Sequence, residues 1–182
     1  VLSFTVAEET EPITIIYQTM EDDAGDMVVC HFNFADGNGE NLIFIKKNEK
    51  PLSFGDNCIA EVIEKYHVKL LILVPMSFYI GEGCSMNNVN ETRTEFNYLI
   101  AGAKDTGCAT VINTHINKMK GTNPLYRTNG SIDIAGVARS ILAITRTSNK
   151  ETLTERYMMQ MKSNSAPIDS AVLLEIAEKD VD

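Results

Sequence analysis

The sequence predicts an α/β domain with a mostly parallel central sheet, helices on both faces and antiparallel strands at the C-terminal end. Three observations carry this prediction. Short β-branched apolar runs alternate with stretches of helical spacing through most of the chain. One of those runs, Leu70-Leu71-Ile72-Leu73-Val74, is continuously apolar, which suits a strand covered on both faces of a parallel sheet. Beyond Ser140 strand patterns follow one another with no helix between them. The 182 residues suffice for one domain with a single sizeable core.

Taken in order, Ile13-Thr14-Ile15-Ile16-Tyr17 reads as a buried strand that stops at the acidic cluster Glu21-Asp22-Asp23. Leu42-Ile43-Phe44-Ile45 is a second strand. Ser53 is a possible N-cap for an amphipathic helix carrying Ile59, Val62, Ile63 and Tyr66. The run from Leu70 follows and should sit centrally. Tyr79 to Asn90 is rich in Gly, Ser and Asn. The next helix places Phe96, Leu99, Ile100 and Ala103 on one face and closes at Gly107. Ala109 to Asn113 is another buried strand, Gly121 to Asn129 an exposed loop, and Ile132 to Ala138 a short helix. Ile141 to Thr145, Arg156 to Met161 and Ala171 to Ile176 are late strands, expected to extend the sheet in antiparallel fashion.

Composition excludes several classes. No apolar run approaches the roughly 18 residues of a membrane span, and the start of the chain is acidic where a secretory signal is basic. The expectation is a cytoplasmic protein with no membrane partner. Cys30, Cys58, Cys84 and Cys108 form no C-x-x-C pair, so they read as buried reduced thiols, and no metal site is expected. The net charge of −9 is unevenly spread. Up to Lys65 there are thirteen acidic residues against four lysines. Between Val111 and Asn149 lie Lys118, Lys120, Arg127, Arg139 and Arg146, with Asp133 as the one acid. Such a local excess can hold a polyanion at one face, weakly and with strong salt dependence; a solvated surface loop explains it equally well.

In open α/β sheets ligands bind outside the carboxyl ends of the strands. The residues at those ends are Glu21 after the first strand, Val74-Pro75 after the central one, His115 after the strand from Ala109, and Lys162 late in the chain. These positions carry a resemblance. Tyr17-Gln18-Thr19-Met20-Glu21-Asp22, the Leu70 to Pro75 strand, Arg93, Thr106-Gly107-Cys108-Ala109, Thr114-His115-Ile116-Asn117-Lys118, Leu125-Tyr126-Arg127, Gly130-Ser131-Ile132-Asp133-Ile134, Ala138-Arg139-Ser140 and Met161 to Pro167 occur in an order covering nearly the whole chain. That order is similar to bacterial RecA-like, AAA-type ATPase domains related to the RepA and DnaB replicative helicases.

The resemblance implies a RecA-like three-layer sandwich over residues 1–182, ATP and magnesium as ligands, single-stranded DNA as partner, and self-association as a hexamer. Glu21 matches the glutamate that polarises the attacking water, a role open to a carboxylate within reach of one water. A solvated acid within an acidic run is the plainer reading of the same residue. His115 matches the position that contacts the γ-phosphate, where a side chain able to donate and to accept is useful; a strand-end histidine satisfied by backbone is the alternative. Lys118, Lys120 and Arg127 match phosphate contacts in the loop that faces nucleic acid, with Tyr126 as a stacking surface. Lys162 matches a basic residue offered to the nucleotide of an adjacent subunit, though Asn164 stands where a second basic residue is expected. Arg139 is the other nucleotide-side candidate, or a partner in an internal salt bridge.

Two departures weigh against turnover. The sequence has no G-x-x-x-x-G-K-S/T phosphate loop, and Val74 stands where the magnesium-ordering aspartate belongs. Gly37-Asn38-Gly39 and Gly81-Glu82-Gly83 lack the lysine and read as turns. The expectation is therefore a RecA-like domain missing its N-terminal phosphate-loop segment, either a piece of a longer ATPase or a degenerate relative with no cofactor of its own. A non-catalytic RecA-fold interaction or assembly module without nucleotide binding is the second reading; separately, apolar surface exposed by the missing first strand and helix would favour a dimer over the hexamer when no neighbouring subunit covers it.

Overall fold

The computed structural model describes residues 11–21, 27–35, 37–46, 51–81, 89–116, 133–146, 153–168 and 170–176. Its elements run β1 (Ile15–Thr19), α1 (Val29–Phe34), β2 (Leu42–Ile43), α2 (Asn57–Tyr66), β3 (Leu70–Val74), α3 (Val89–Thr106), β4 (Ala109–Ile112), α4 (Asp133–Val137), β5 (Ser140–Arg146), β6 (Glu155–Ser163) and β7 (Val172–Glu175). Strands β2-β1-β3-β4 form a parallel sheet, so β3 sits inside it as its unbroken apolar run requires. The late strands are antiparallel, but among the described residues they form their own sheet, β5-β6-β7, and do not extend the first one.

One core holds the parallel sheet. Ile16, Leu71 and Leu73 alternate onto the same face, where α2 adds Ile59 and Ile63 and α3 adds Phe96 and Leu99. Phe54 lies among them, its ring 6.3 Å from Tyr79 and 5.2 Å from Phe96. The sheet's outer edge is extended by a side chain. Buried Gln18 donates to the Ile45 carbonyl at 2.7 Å and accepts from the Ile45 amide at 2.9 Å, standing in for a strand partner beyond the two residues of β2.

Helix ends differ in part from the sequence reading. Asp56, not Ser53, occupies the N-cap of α2, and its carboxylate turns back to accept the Ser53 amide at 2.7 Å. At the other end of α2, His67 is left-handed with φ 52°. Gly107 ends α3 at φ +68°, a conformation that glycine adopts without a Cβ penalty. α1 escaped the periodicity because it has only six residues, none of them fully buried, too few for a helical repeat to show. On it Cys30, expected to be buried, is exposed; Cys58 is half-buried and Cys108 buried. Cys84 lies outside the described residues.

The second sheet meets the first through α4. Ile134 of α4 joins the core, while Lys162 of β6 reaches the end of the same helix. Its ammonium donates to the carbonyls of Ala135 (2.8 Å), Gly136 (3.0 Å) and Ala138 (2.7 Å). A lysine has three N–H groups, and all three are placed on orphan carbonyls at a helix C-terminus, where a positive charge is favourable. Next to it, the Asn164 amide donates to the Arg139 carbonyl at 2.9 Å.

Candidate functional site at the strand tips

Parallel strands deliver their carboxyl ends to one rim, and the rim is where Glu21 and His115 are found. Glu21 follows β1 by two residues and His115 follows β4 by three. Their strands are not neighbours, since β3 runs between them. Two strand spacings are about 10 Å. The side chains close that gap, bringing His115 Nε2 to 3.4 Å from Glu21 Oε1 above the end of β3. A carboxylate oxygen only accepts, so the ring nitrogen facing it carries the hydrogen, and Nδ1 of a neutral ring remains an acceptor.

Exposure decides what such a pair can be. With 65% of the histidine side chain and 44% of the glutamate side chain exposed, the contact adds at most about 1 kcal/mol to stability. Its place at the rim, open to solvent and to ligands, is its more informative property.

Below the pair, β3 ends in a clamp of main-chain bonds. The Val74 carbonyl accepts the Met20 amide at 3.2 Å and the Tyr79 hydroxyl at 3.4 Å. The Leu73 carbonyl accepts the Asn113 amide at 2.9 Å, and the Asn113 carbonyl accepts the Met76 amide at 2.8 Å. Burial pushes the Tyr79 phenol up to about 12, with the nearby Tyr17 adding to the shift, so it stays a donor at any physiological pH. Pro75 and Met76 are buried beneath it. Away from the rim, burial also raises the Cys108 thiol, against the opposing pull of Lys69 and the Leu71 backbone, which leaves it a poor nucleophile.

Of the residues singled out from the sequence, the structure brings Glu21 and His115 together. Lys162 is engaged with the end of α4, within its own chain, instead of extending freely from a strand tip. Arg139 is exposed just before β5. Lys118, Lys120, Tyr126 and Arg127 lie outside the described residues. Thr19, which sequence reasoning passed over, accepts the Glu21 amide on its hydroxyl at 3.2 Å. A threonine two residues before a charged strand-end residue is the signal that would have found it.

Among the described residues, the tip of β3 offers magnesium only the aliphatic side chain of Val74, which supplies no oxygen donor.

No family model matches the chain, and no curated protein matches it. Among solved structures it is similar to the crystal structure of the RadB recombinase, with a TM-score of 0.58 and 11% identity over 91% of this chain and 76% of that one. At that identity the likeness speaks for architecture alone. The architecture is the RecA-like α/β fold, a mostly parallel sheet with its helices followed by an antiparallel sheet.

Proposed function

We propose that this chain is a RecA-like domain of a DNA-associated protein, descended from the ATPase group named above, that does not turn over ATP by itself. The observation that carries the reading is the Glu21–His115 pair standing over a β3 tip that ends in Val74. A carboxylate and an imidazole converge where RecA-like folds receive ligands, yet the metal-ordering acid is replaced by an apolar residue. In this reading Glu21 accepts a proton or holds a water, and His115 donates to an anion or to Glu21. A phosphate loop, where one acts with this domain, comes from another part of the protein or from a neighbouring subunit. The basic segment holding Lys118, Lys120 and Arg127 is the proposed contact to single-stranded DNA, with Tyr126 as a stacking face.

The second reading, an assembly module without nucleotide or DNA, is favoured by the exposure of Leu142 and Ile144 on β5. Two titrations separate the readings. Single-stranded DNA is expected to bind at low salt, and the triple substitution of Lys118, Lys120 and Arg127 to Ala should weaken it about tenfold or more and flatten its salt dependence. Identical affinities, or no binding by the unaltered chain, leave the assembly module. Magnesium ATP is expected to bind no better than millimolar; a micromolar dissociation constant would show a complete phosphate site and overturn the proposal.

A further inference from the structure

Val74 stands where an acid was expected, and what it contributes to the rim is its main chain. The pairing of β1 with β3 ends at Thr19 opposite Val74. One further bond, from the Met20 amide to the Val74 carbonyl at 3.2 Å, carries β1 a step beyond the last paired residue. The next amide, that of Glu21, is then held by the Thr19 hydroxyl at 3.2 Å. Two successive amides are therefore fixed immediately before the carboxylate leaves the backbone. Tyr79, 1% exposed, steadies the shared carbonyl from the other side at 3.4 Å. Were Glu21 free to turn about its backbone, its side chain would sample solvent in many rotamers, and an exposed pair at 3.4 Å would have little to maintain it.

We propose that Thr19 is the positioning residue of the rim, its hydroxyl setting the backbone of Glu21 so that the carboxylate meets His115 across the tip of β3. The proposal rests on the reading of Glu21 and His115 as the functional pair, and it gives the Thr19 hydroxyl and the Val74 main-chain carbonyl the task of fixing the backbone that carries Glu21. Thr19 touches no ligand in this scheme; it acts through Glu21.

The ring resonances of His115 report the outcome directly. In the full chain labelled with ¹⁵N and ¹³C, Glu21→Gln should displace the His115 Nε2 and Cε1 signals, because the charged acceptor facing the ring is lost. Thr19→Val, which keeps the shape and removes the acceptor, should reproduce most of that displacement, and Thr19→Ser should leave the wild-type signals. Thr19→Ala gives the same reading if the valine variant fails to fold. Wild-type signals in a folded valine or alanine variant would overturn the proposal. Equal displacement by serine and valine would overturn it too, since packing and not the hydroxyl would then be responsible. A His115 ring insensitive to Glu21→Gln would remove the pair altogether. These signals are independent of nucleotide and DNA titrations, so a failed function and a failed positioning role are told apart.

Discussion

The two sheets of this molecule use apolar residues in opposite ways. In the parallel sheet, Ile16, Leu71 and Leu73 are at most 1% exposed and face two helices that close over them. In the antiparallel sheet, Leu142 and Ile144 are 56% and 61% exposed, although both belong to a seven-residue strand paired to β6 along its length, with a register shift between Ile141 and Leu142. The side-chain period explains the difference. Ile141 of β5 and its β6 partner Lys162 lie on the face that looks toward α4, whereas Leu142 and Ile144 point the other way, Leu142 opposite Gln160 and Ile144 in the row formed with Met158 and Val172. The first sheet thus holds most of the burial energy, and among the described residues the second is a pleated surface joined to it at α4.

This contrast predicts its own largest effect. Leu73→Ala removes a fully buried side chain between α2 and α3 and should cost about 3 to 4 kcal/mol in urea unfolding. The equivalent change at Leu142 should cost under about 1 kcal/mol, because half of that side chain is already in water. Equal losses would mean that the second sheet belongs to the same closed core.

An intermediate effect is expected where the sheets are joined. Lys162→Met keeps the aliphatic stem and deletes three charge-assisted bonds to the end of α4, a loss of about 1.5 to 3 kcal/mol. Hydrogen exchange sharpens the point. Amides of β5 and β6 should lose protection while those of β1 and β3 keep theirs, as separate cooperative units do. A uniform loss in both sheets would show that Lys162 supports the whole molecule and not the junction.

How much of this was readable beforehand depended on which physical signal each element left in the chain. The run Leu70 to Val74 announced β3, which ends one residue before the Pro75 included in the sequence reading, because a buried parallel strand needs apolar residues at every position. Gly107 marked the end of α3 because only a left-handed residue closes a helix that way. α1 left no trace, as six residues with none fully buried are too few to display a helical period. The separation of β5-β6-β7 from the parallel sheet was also invisible, since strand patterns state alternation and not which edge a strand will join. At the site, the sequence named Glu21 and His115 as strand-end residues, but that they meet across β3 follows from strand order, which is a long-range property. The engagement of Lys162 with α4 was equally unreadable, because it joins residues 24 to 27 positions apart.

The smallest effect on stability is expected at Ile144, and it carries the most information about the outer face of the second sheet. Threonine retains the β-branch that suits a strand and replaces one apolar arm by a hydroxyl. At a position 61% exposed, Ile144→Thr should change the unfolding free energy by less than about 0.5 kcal/mol. Leu142 and Ile144 stand two residues apart on one face, so the same substitution interrupts the patch without disturbing the register to β6. If that patch joins copies of the chain, static light scattering at rising protein concentration should report a lower mean mass for the variant than for the wild type, with unchanged unfolding of the monomer. A stability loss beyond about 1.5 kcal/mol would instead place Ile144 under a cover supplied by its own chain, and the two sheets would then share one design, with apolar faces closed on both.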